Sequence, residues 1–121
     1  MNKSLKTSRA LNESELLSLV VPVFNERSML PIFFDHVLPV LASLDIRSEI
    51  VVVDDGSEDG SAKFMKTIIE TKSSIRLVKL SRNFGKEAAV TAGLEHARGD
   101  AVIVLDADLQ DPPEYIPEMV R

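Results

Sequence analysis

The sequence predicts an α/β fold, a parallel sheet with helices on both faces, from two observations. Short apolar runs rich in β-branched residues alternate with amphipathic segments four times along the chain. Such alternation is typical of parallel strands that are joined by helical crossovers. Polar residues follow every one of the apolar runs. In open α/β sheets ligands bind outside the carboxyl ends of the strands, so the sequence also predicts a binding site at that edge.

The predicted strands and helices follow one another in chain order. Buried parallel strands read as short continuous apolar runs, and such runs occupy residues 16–23, 49–53, 75–80 and 101–105. Helical patterns occupy residues 28–44, 61–71 and 85–97, and a last helix begins near Pro112 with Asp111 and Glu114 as its cap. Pro39 lies inside the first helix, where we expect it to kink or split that helix.

Composition excludes several classes of protein. The chain has 121 residues, enough for one small domain, and no cysteine, which excludes disulfides and thiolate metal sites. Its net charge of −5 argues against a nucleic-acid partner. No apolar run reaches the ~18 residues that suggest a membrane helix. We interpret residues 1–15, which are polar and weakly basic, as a flexible leader.

The segment after the fourth predicted strand is the best candidate for a metal site. Asp106, Asp108 and Gln110 alternate along it. In an extended segment such residues point the same way, so their oxygen atoms could converge on one Mg2+ or Mn2+ ion. The alternative is a loop of solvated acids that ends in a helix cap.

The other strand ends also offer polar groups, each with a structural alternative. Asp54 and Asp55 could accept hydrogen bonds from a nucleobase or a ribose, or could serve only the local turn. Arg82 could offset diphosphate charge or pair with a surface acid. Lys86 falls in the first turn of a helix, where the dipole disfavours a cation, which hints at an anionic ligand. Glu26, with its neighbour Asn25, could simply cap the first helix.

Several familiar nucleotide and phosphate sites are excluded by their motifs. The chain lacks the Gly-x-Gly-x-x-Gly pattern of dinucleotide-binding dehydrogenases and the complete pattern of a P-loop. In receiver domains the acidic pair follows the first strand, whereas here it follows the second. Haloacid-dehalogenase-type phosphatases place Asp-x-Asp after the first strand, whereas here it follows the fourth.

Four motifs in order carry a family resemblance. They are VPVFNE at 21–26, VVVDDGSEDGS at 51–61, SRNFGKE at 81–87 and DADLQDP at 106–112. Together they resemble the family 2 glycosyltransferases of the GT-A fold. The last two narrow the resemblance to the polyprenyl-phosphate sugar transferases, the group of dolichol-phosphate mannose synthase and the bactoprenol glucosyltransferases. The resemblance covers about residues 19–121.

The resemblance implies both a fold and a function. The fold is a Rossmann-like parallel sheet, the nucleotide-binding half of a GT-A fold. Residues 16–121 would be the nucleotide-sugar-binding part of a glycosyltransferase domain that is truncated at its C-terminus. The implied reaction is a metal-dependent, inverting transfer of a sugar from a UDP- or GDP-sugar to a polyprenyl phosphate, undecaprenyl or dolichyl. Mg2+ or Mn2+ is the implied cofactor.

The resemblance also assigns roles to residues. Asp106 and Asp108 are the expected catalytic residues and, with Gln110, the expected metal ligands. The expected nucleotide-binding residues, including those from the strand ends above, are Pro22, Phe24, Glu26, Val53, Asp54, Asp55, Arg82, Lys86, Asp106, Ala107 and Asp108.

The expected partners are a nucleotide sugar, a polyprenyl phosphate and, in full-length members of the family, the cytoplasmic face of the membrane of the cell envelope. An exposed sheet edge could also drive self-association. Two further hypotheses stay open. One is a catalytically silent nucleotide- or metal-binding fragment that needs a partner or a C-terminal half. The other, less favoured because a Gly-rich N-terminal loop is absent, is a sugar nucleotidyltransferase.

Overall fold

The computed structural model describes residues 14–110 and 112–120, and in them the predicted alternation is confirmed. The strands are β1 (Leu16–Val23), β2 (Arg47–Asp54), β3 (Ile75–Lys79) and β4 (Ala101–Val104). The helices are α1 (Leu30–Ala42), α2 (Ser61–Ile69) and α3 (Lys86–His96), followed by a 3-10 turn (Pro113–Tyr115) and the short α4 (Ile116–Met119). Every element lies within a few residues of its predicted position.

The four strands form one parallel sheet in the order β3-β2-β1-β4. The central strands β1 and β2 pair along their whole length, from Leu16 with Arg47 to Val23 with Asp54. Because all four strands run in the same direction, the loops that follow them meet at one edge of the sheet. We call this edge, with the loops after β1 to β4, the carboxyl edge.

Both faces of the sheet are covered, as predicted. The larger core lies between one face and α1, α2 and the segments 107–110 and 112–120, and it includes the fully buried Phe33 and Met65. The smaller core lies under α3 and includes Val20 and Val53. Gly93 lets α3 approach closely, because a Cβ atom there would lie 2.4 Å from the Cγ1 atom of Val20.

Pro39 does not split α1, so that part of the expectation was wrong. The helix runs unbroken from Leu30 to Ala42 with Pro39 inside it, on an exposed position. A proline inside a helix removes one backbone donor, and its ring crowds the carbonyl group four residues earlier. The burial of five apolar side chains of α1 against the sheet offsets this cost: Leu30, Phe33, Phe34, Val37 and Leu41.

Two sequence expectations fall mostly or wholly outside the described residues. The leader at 1–15 is described only at its end, where Glu15 is buried and the carbonyl oxygen of Ser14 accepts a hydrogen bond from Arg47. The predicted cap residue Asp111 lies outside the described residues, and Pro112 precedes the 3-10 turn without a side-chain cap. Across the described part of the chain, no helix has the length and apolar character needed to cross a membrane.

Candidate functional site

A cavity of about 330 Å³ opens at the carboxyl edge, where the sequence predicted a site. Loops from all four strands contribute to its wall. Nine of the predicted site residues line it: Pro22, Phe24, Glu26, Asp55, Lys86, Asp106, Ala107, Asp108 and Gln110. The topology therefore brings most of the predicted set together.

Three predicted nucleotide-binding residues do not line the cavity. Val53 is fully buried in the core under α3. Asp54 is also fully buried; its Oδ1 accepts a hydrogen bond from the Ser57 N–H at 3.3 Å, and its Oδ2 has no hydrogen-bond partner. The guanidinium of Arg82 lies over the ring of Phe84, 5.3 Å from its centroid. The predicted contacts of these residues with a nucleotide stay predictions.

The segment 106–110 is a turn, so the expectation of an extended segment was wrong. Residues 107 and 108 form the turn, and Leu109 has a left-handed backbone with a φ of 62°. Oδ1 of Asp108 accepts a hydrogen bond from the Gln110 N–H at 3.1 Å, which closes the turn. Asp106, Asp108 and Gln110 nevertheless line the same cavity.

The charges around Glu26 in the cavity are mainly negative. Burial, followed by the nearby carboxylates of Asp108, Asp59 and Asp106, raises the pKa of Glu26. The compensating cation comes from α3, where Nζ of Lys86 lies 2.9 Å from Oδ2 of Asp106. The helix dipole disfavours the positive charge of Lys86 in the first turn of α3, and the carboxylate of Asp106 on the neighbouring loop offsets this effect.

The donor set at this turn suits a hard divalent cation. Within residues 14–110 and 112–120, no three His, Cys, Asp or Glu side chains are grouped as a complete metal site. Asp106 and Asp108 supply two carboxylates and Gln110 an amide oxygen on the same cavity. Mg2+ commonly uses one or two carboxylates and takes its other ligands from water and substrate phosphates. The excess negative charge near Glu26 favours the same ion.

A network around Asp55 was not anticipated from the sequence. Oδ1 of Asp55 accepts the Phe84 N–H at 2.8 Å, and Oδ2 accepts the Gly85 N–H and the Asn83 side-chain amide, both at 3.0 Å. Asn83 and Gly85 also line the cavity. Both belong to the SRNFGKE motif, which was the signal that could have marked them as part of the site.

The first two loops of the carboxyl edge are tied together by side chains. Asn25, whose φ is 53°, accepts the Glu58 N–H at 2.9 Å through its Oδ1, and its own N–H donates to Oγ of Ser57 at 2.8 Å. The residue before α1 is Met29, without a side-chain cap. The side chain of Asn25 therefore does not cap the first helix, whereas the carbonyl oxygen of Glu26 accepts the N–H groups of Met29 and Leu30 at its start. The N–H of Glu26 donates to Oγ of Ser61, which fixes Glu26 in the cavity wall.

Comparison with known sequences gives a family and several relatives. The model of the family described as Glycosyl transferase family 2 matches residues 18–121. An uncharacterized glycosyltransferase, sll0501, of Synechocystis is 49% identical over 104 residues, which are 86% of this chain and 33% of the relative. An undecaprenyl-phosphate 4-deoxy-4-formamido-L-arabinose transferase of Aeromonas hydrophila is 44% identical over 108 residues, 88% of this chain and 33% of the relative. The chain thus spans about a third of the length of these relatives.

Solved structures show the same architecture. The mannosyltransferase PcManGT from Pyrobaculum calidifontis, in complex with GDP-Man and Mn2+, is similar with a TM-score of 0.70 and 27% identity, over 82% of this chain and 30% of that one. S. aureus TarS in complex with UDP-GlcNAc is similar with a TM-score of 0.60 and 28% identity, over 76% of this chain and 26% of that one.

Proposed function

Because the chain belongs to glycosyl transferase family 2 and has the Rossmann-like sheet of the GT-A fold, we propose that it carries the donor-binding half of a sugar transferase. The donor is a UDP- or GDP-sugar and the acceptor is a polyprenyl phosphate, undecaprenyl or dolichyl. One observation carries the proposal: the cavity at the carboxyl edge joins Asp106, Asp108 and Gln110 to the cation of Lys86.

The diphosphate and the nucleobase of the donor have matching groups in the cavity. Asp106, Asp108 and Gln110 would hold a divalent ion, and that ion and Lys86 would together offset the charge of the diphosphate. Phe24 lines the cavity and is 46% exposed, which leaves its ring available to pack on a nucleobase. The GDP-Man and Mn2+ bound to PcManGT support a donor of this class.

The reaction needs little acid–base chemistry from the protein. When bound, the divalent ion stabilises negative charge on the departing nucleoside diphosphate. An acceptor phosphate with a second pKa near ~6 is already largely anionic at neutral pH. Its oxygen bonds to the anomeric carbon as the bond to the diphosphate breaks, which inverts that carbon. Asp106, Asp108 and Lys86 contribute by orienting the donor and offsetting its charge, since positioning and preorganised electrostatics dominate such a transfer.

The names of the relatives support the proposed acceptor, and the proposed location follows from that acceptor. Several of them are named undecaprenyl-phosphate 4-deoxy-4-formamido-L-arabinose transferases, which supports a polyprenyl phosphate as acceptor. Such an acceptor is held in a membrane, so we place the reaction at the cytoplasmic membrane face, where nucleotide sugars are available. We also propose that the chain self-associates through the outer edge of β4. In the described sheet β4 is an edge strand, and its residue Val104 is 40% exposed.

Titration calorimetry tests the donor site. UDP and then GDP are titrated into the chain with and without Mn2+, and into Asp108→Ala. We expect Mn2+-dependent binding of one nucleotide, weakened at least about tenfold in Asp108→Ala, because one carboxylate ligand is lost. The nucleotide that binds identifies the base of the donor.

The matched control is Asp35→Ala, which removes an exposed carboxylate on α1. It should bind as the wild type does. Equal binding by wild type and Asp108→Ala would contradict the metal site. Failure of a folded wild-type chain, checked by circular dichroism, to bind either nucleotide would contradict the donor site itself.

A further inference from the structure

We infer that Asp55 is a positioning residue, whose carboxylate clamps residues 83–85 and thereby places Lys86 in the cavity against Asp106. This inference rests on the proposed donor site. It gives Asp55 a different task from the direct nucleotide contact that the family resemblance implies. Asp55 is 3% exposed, so its carboxylate is a buried charge, and buried charges require partners.

The partners of Asp55 all belong to the loop between β3 and α3. Its two oxygen atoms accept the N–H groups of Phe84 and Gly85 and the side-chain amide of Asn83, at 2.8 to 3.0 Å. The same side-chain amide also lies 3.2 Å from the Asp55 carbonyl oxygen. A carboxylate has about four lone-pair positions, and three are used here. The Asp55 side chain is thus devoted mainly to this loop.

The backbone next to Asp55 makes the clamp tight. A Cβ atom on Gly56 would lie 2.4 Å from the backbone of both Arg82 and Asn83, so the loops after β2 and β3 touch backbone to backbone. Gly85 has a φ of 104°, a conformation that favours glycine and that directs the chain into α3. A loop with such a turn needs external hydrogen bonds to hold one conformation, and Asp55 supplies them.

The residue that follows the clamped loop is Lys86. It is the first residue of α3, and its Nζ lies 2.9 Å from Oδ2 of Asp106 across the cavity. The position of its Cα is fixed by the Gly85 N–H bond to Asp55 one residue earlier. Release of residues 83–85 would therefore allow Lys86 to leave the diphosphate position, although Asp55 itself touches no phosphate.

Amide hydrogen exchange without ligand tests the clamp. In Asp55→Asn the side chain has the same shape, but its NH2 group must face at least one of the N–H donors. We expect exchange at Phe84 and Gly85 to accelerate at least about tenfold, since a lost bond to a charged acceptor costs more than a neutral one. The control is Asp59→Asn, because the hydrogen bonds described for its carboxylate come from Arg27, Ser61 and its own backbone N–H, and none of these lies between β3 and α3. It should leave this exchange unchanged.

A double-mutant cycle with Lys86→Met tests the connection to the donor site. The probe is whichever of UDP and GDP binds with Mn2+. Asp55→Asn should weaken binding about tenfold in the wild-type background and less than about twofold in the Lys86→Met background. Such coupling is the signature of two residues that act through each other. A direct contact between Asp55 and the nucleotide would give independent, additive losses.

The outcomes separate this inference from the proposed function. Unchanged exchange at Phe84 and Gly85 in Asp55→Asn overturns the clamp whether or not nucleotide binds. Faster exchange with additive losses overturns the positioning of Lys86. Faster exchange in a chain whose wild type binds no nucleotide refutes the proposed donor site, and the positioning role falls with it. Faster exchange with coupled losses supports both.

Discussion

Two glutamates at opposite edges of the sheet, Glu49 and Glu26, have opposite electrostatic surroundings. At the amino edge, where the strands begin, Glu49 accepts hydrogen bonds from Oγ of Ser18 at 2.5 Å, the Arg98 N–H at 2.7 Å and Nη2 of Arg76 at 3.0 Å. Burial alone would raise the pKa of Glu49, but these hydrogen bonds and the charge of Arg76 lower it. The folded chain thus favours the ionised form.

At the carboxyl edge Glu26 meets other acids. Burial and the carboxylates of Asp108, Asp59 and Asp106 raise its pKa, so folding disfavours its charge. A carboxylate that is fully compensated within the chain contributes to stability. A cluster that is compensated only in part is a site where a cation can bind with a gain in free energy. The comparison therefore separates a carboxylate that the chain itself compensates, Glu49, from one beside the proposed donor site, Glu26.

The largest expected loss of stability comes from a substitution that disturbs the backbone of the carboxyl edge. In Gly56→Ala the new Cβ atom would overlap the backbone of Arg82 and Asn83, and the φ of 76° would strain an alanine. We expect a loss of about 3 kcal/mol in the free energy of unfolding, the upper end for a strained backbone residue. Urea denaturation followed by circular dichroism measures it.

The control for this change is Gly60→Ala. Gly60 has a φ of 91°, but nothing lies within 4 Å of a Cβ atom placed there. Strain without overlap should cost about 1 kcal/mol. Equal losses in the two variants would contradict the close contact between the loops after β2 and β3.

The next largest expected loss of stability tests the hydrogen bonds of Glu49 at the amino edge. Glu49→Gln replaces a charged acceptor by a neutral amide, and we expect a loss of about 2 kcal/mol at neutral pH. The pKa of Glu49 is lowered on folding from its ordinary value of 4.5, so this stability is present above that value and is lost as the pH falls through the folded pKa. Denaturation at about pH 7 and about pH 3 should show a difference between variant and wild type that shrinks at the lower pH.

An exposed acid provides the comparison for Glu49. Glu58→Gln removes the same charge from an exposed position in the loop after β2, and its effect should stay within about 0.5 kcal/mol. If Glu49→Gln were as neutral as Glu58→Gln, the network around Glu49 would contribute nothing measurable.

Most of the fold could be predicted from the sequence because its signals are local. Local sequence patterns predict the secondary structure directly. Examples are the apolar runs of β1 and β2 and the helical spacing of Phe33, Phe34 and Val37 in α1. The split expected at Pro39 does not occur, because the burial of α1, a tertiary effect, offsets the cost of the proline. The sheet order β3-β2-β1-β4 is likewise a tertiary property.

The site was predicted less completely. The carboxyl edge follows from topology, so the place of Asp106 and Asp108 was foreseeable. The turn at Leu109 and the inward direction of Asp55 were not, because they depend on backbone torsions and on loops 28 to 30 residues apart in sequence. Sequence alternation alone does not reveal whether a strand-end acid faces a ligand or a neighbouring loop.

The smallest expected effect is a gain in stability instead of a loss, and it compares the two glutamates most directly. Glu26→Gln is the same chemical change as Glu49→Gln, but it removes a charge that folding disfavours. The raised pKa of Glu26 means that the stability it contributes is present below its ordinary value of 4.5 and is lost as the pH rises through the folded pKa. At neutral pH the variant should therefore be more stable than the wild type, by about 0.5 kcal/mol for a partly exposed group.

Mn2+ makes this prediction specific to the site. The ion offsets the same repulsion, so it should raise the thermal midpoint of the wild type more than that of Glu26→Gln. Glu87→Gln, which removes an exposed charge from the first turn of α3, should show no gain, because an acid is favoured at a helix N-terminus. A loss of stability in Glu26→Gln at neutral pH would mean that Glu26 is compensated as fully as Glu49, and the two edges of the sheet would then differ only in shape.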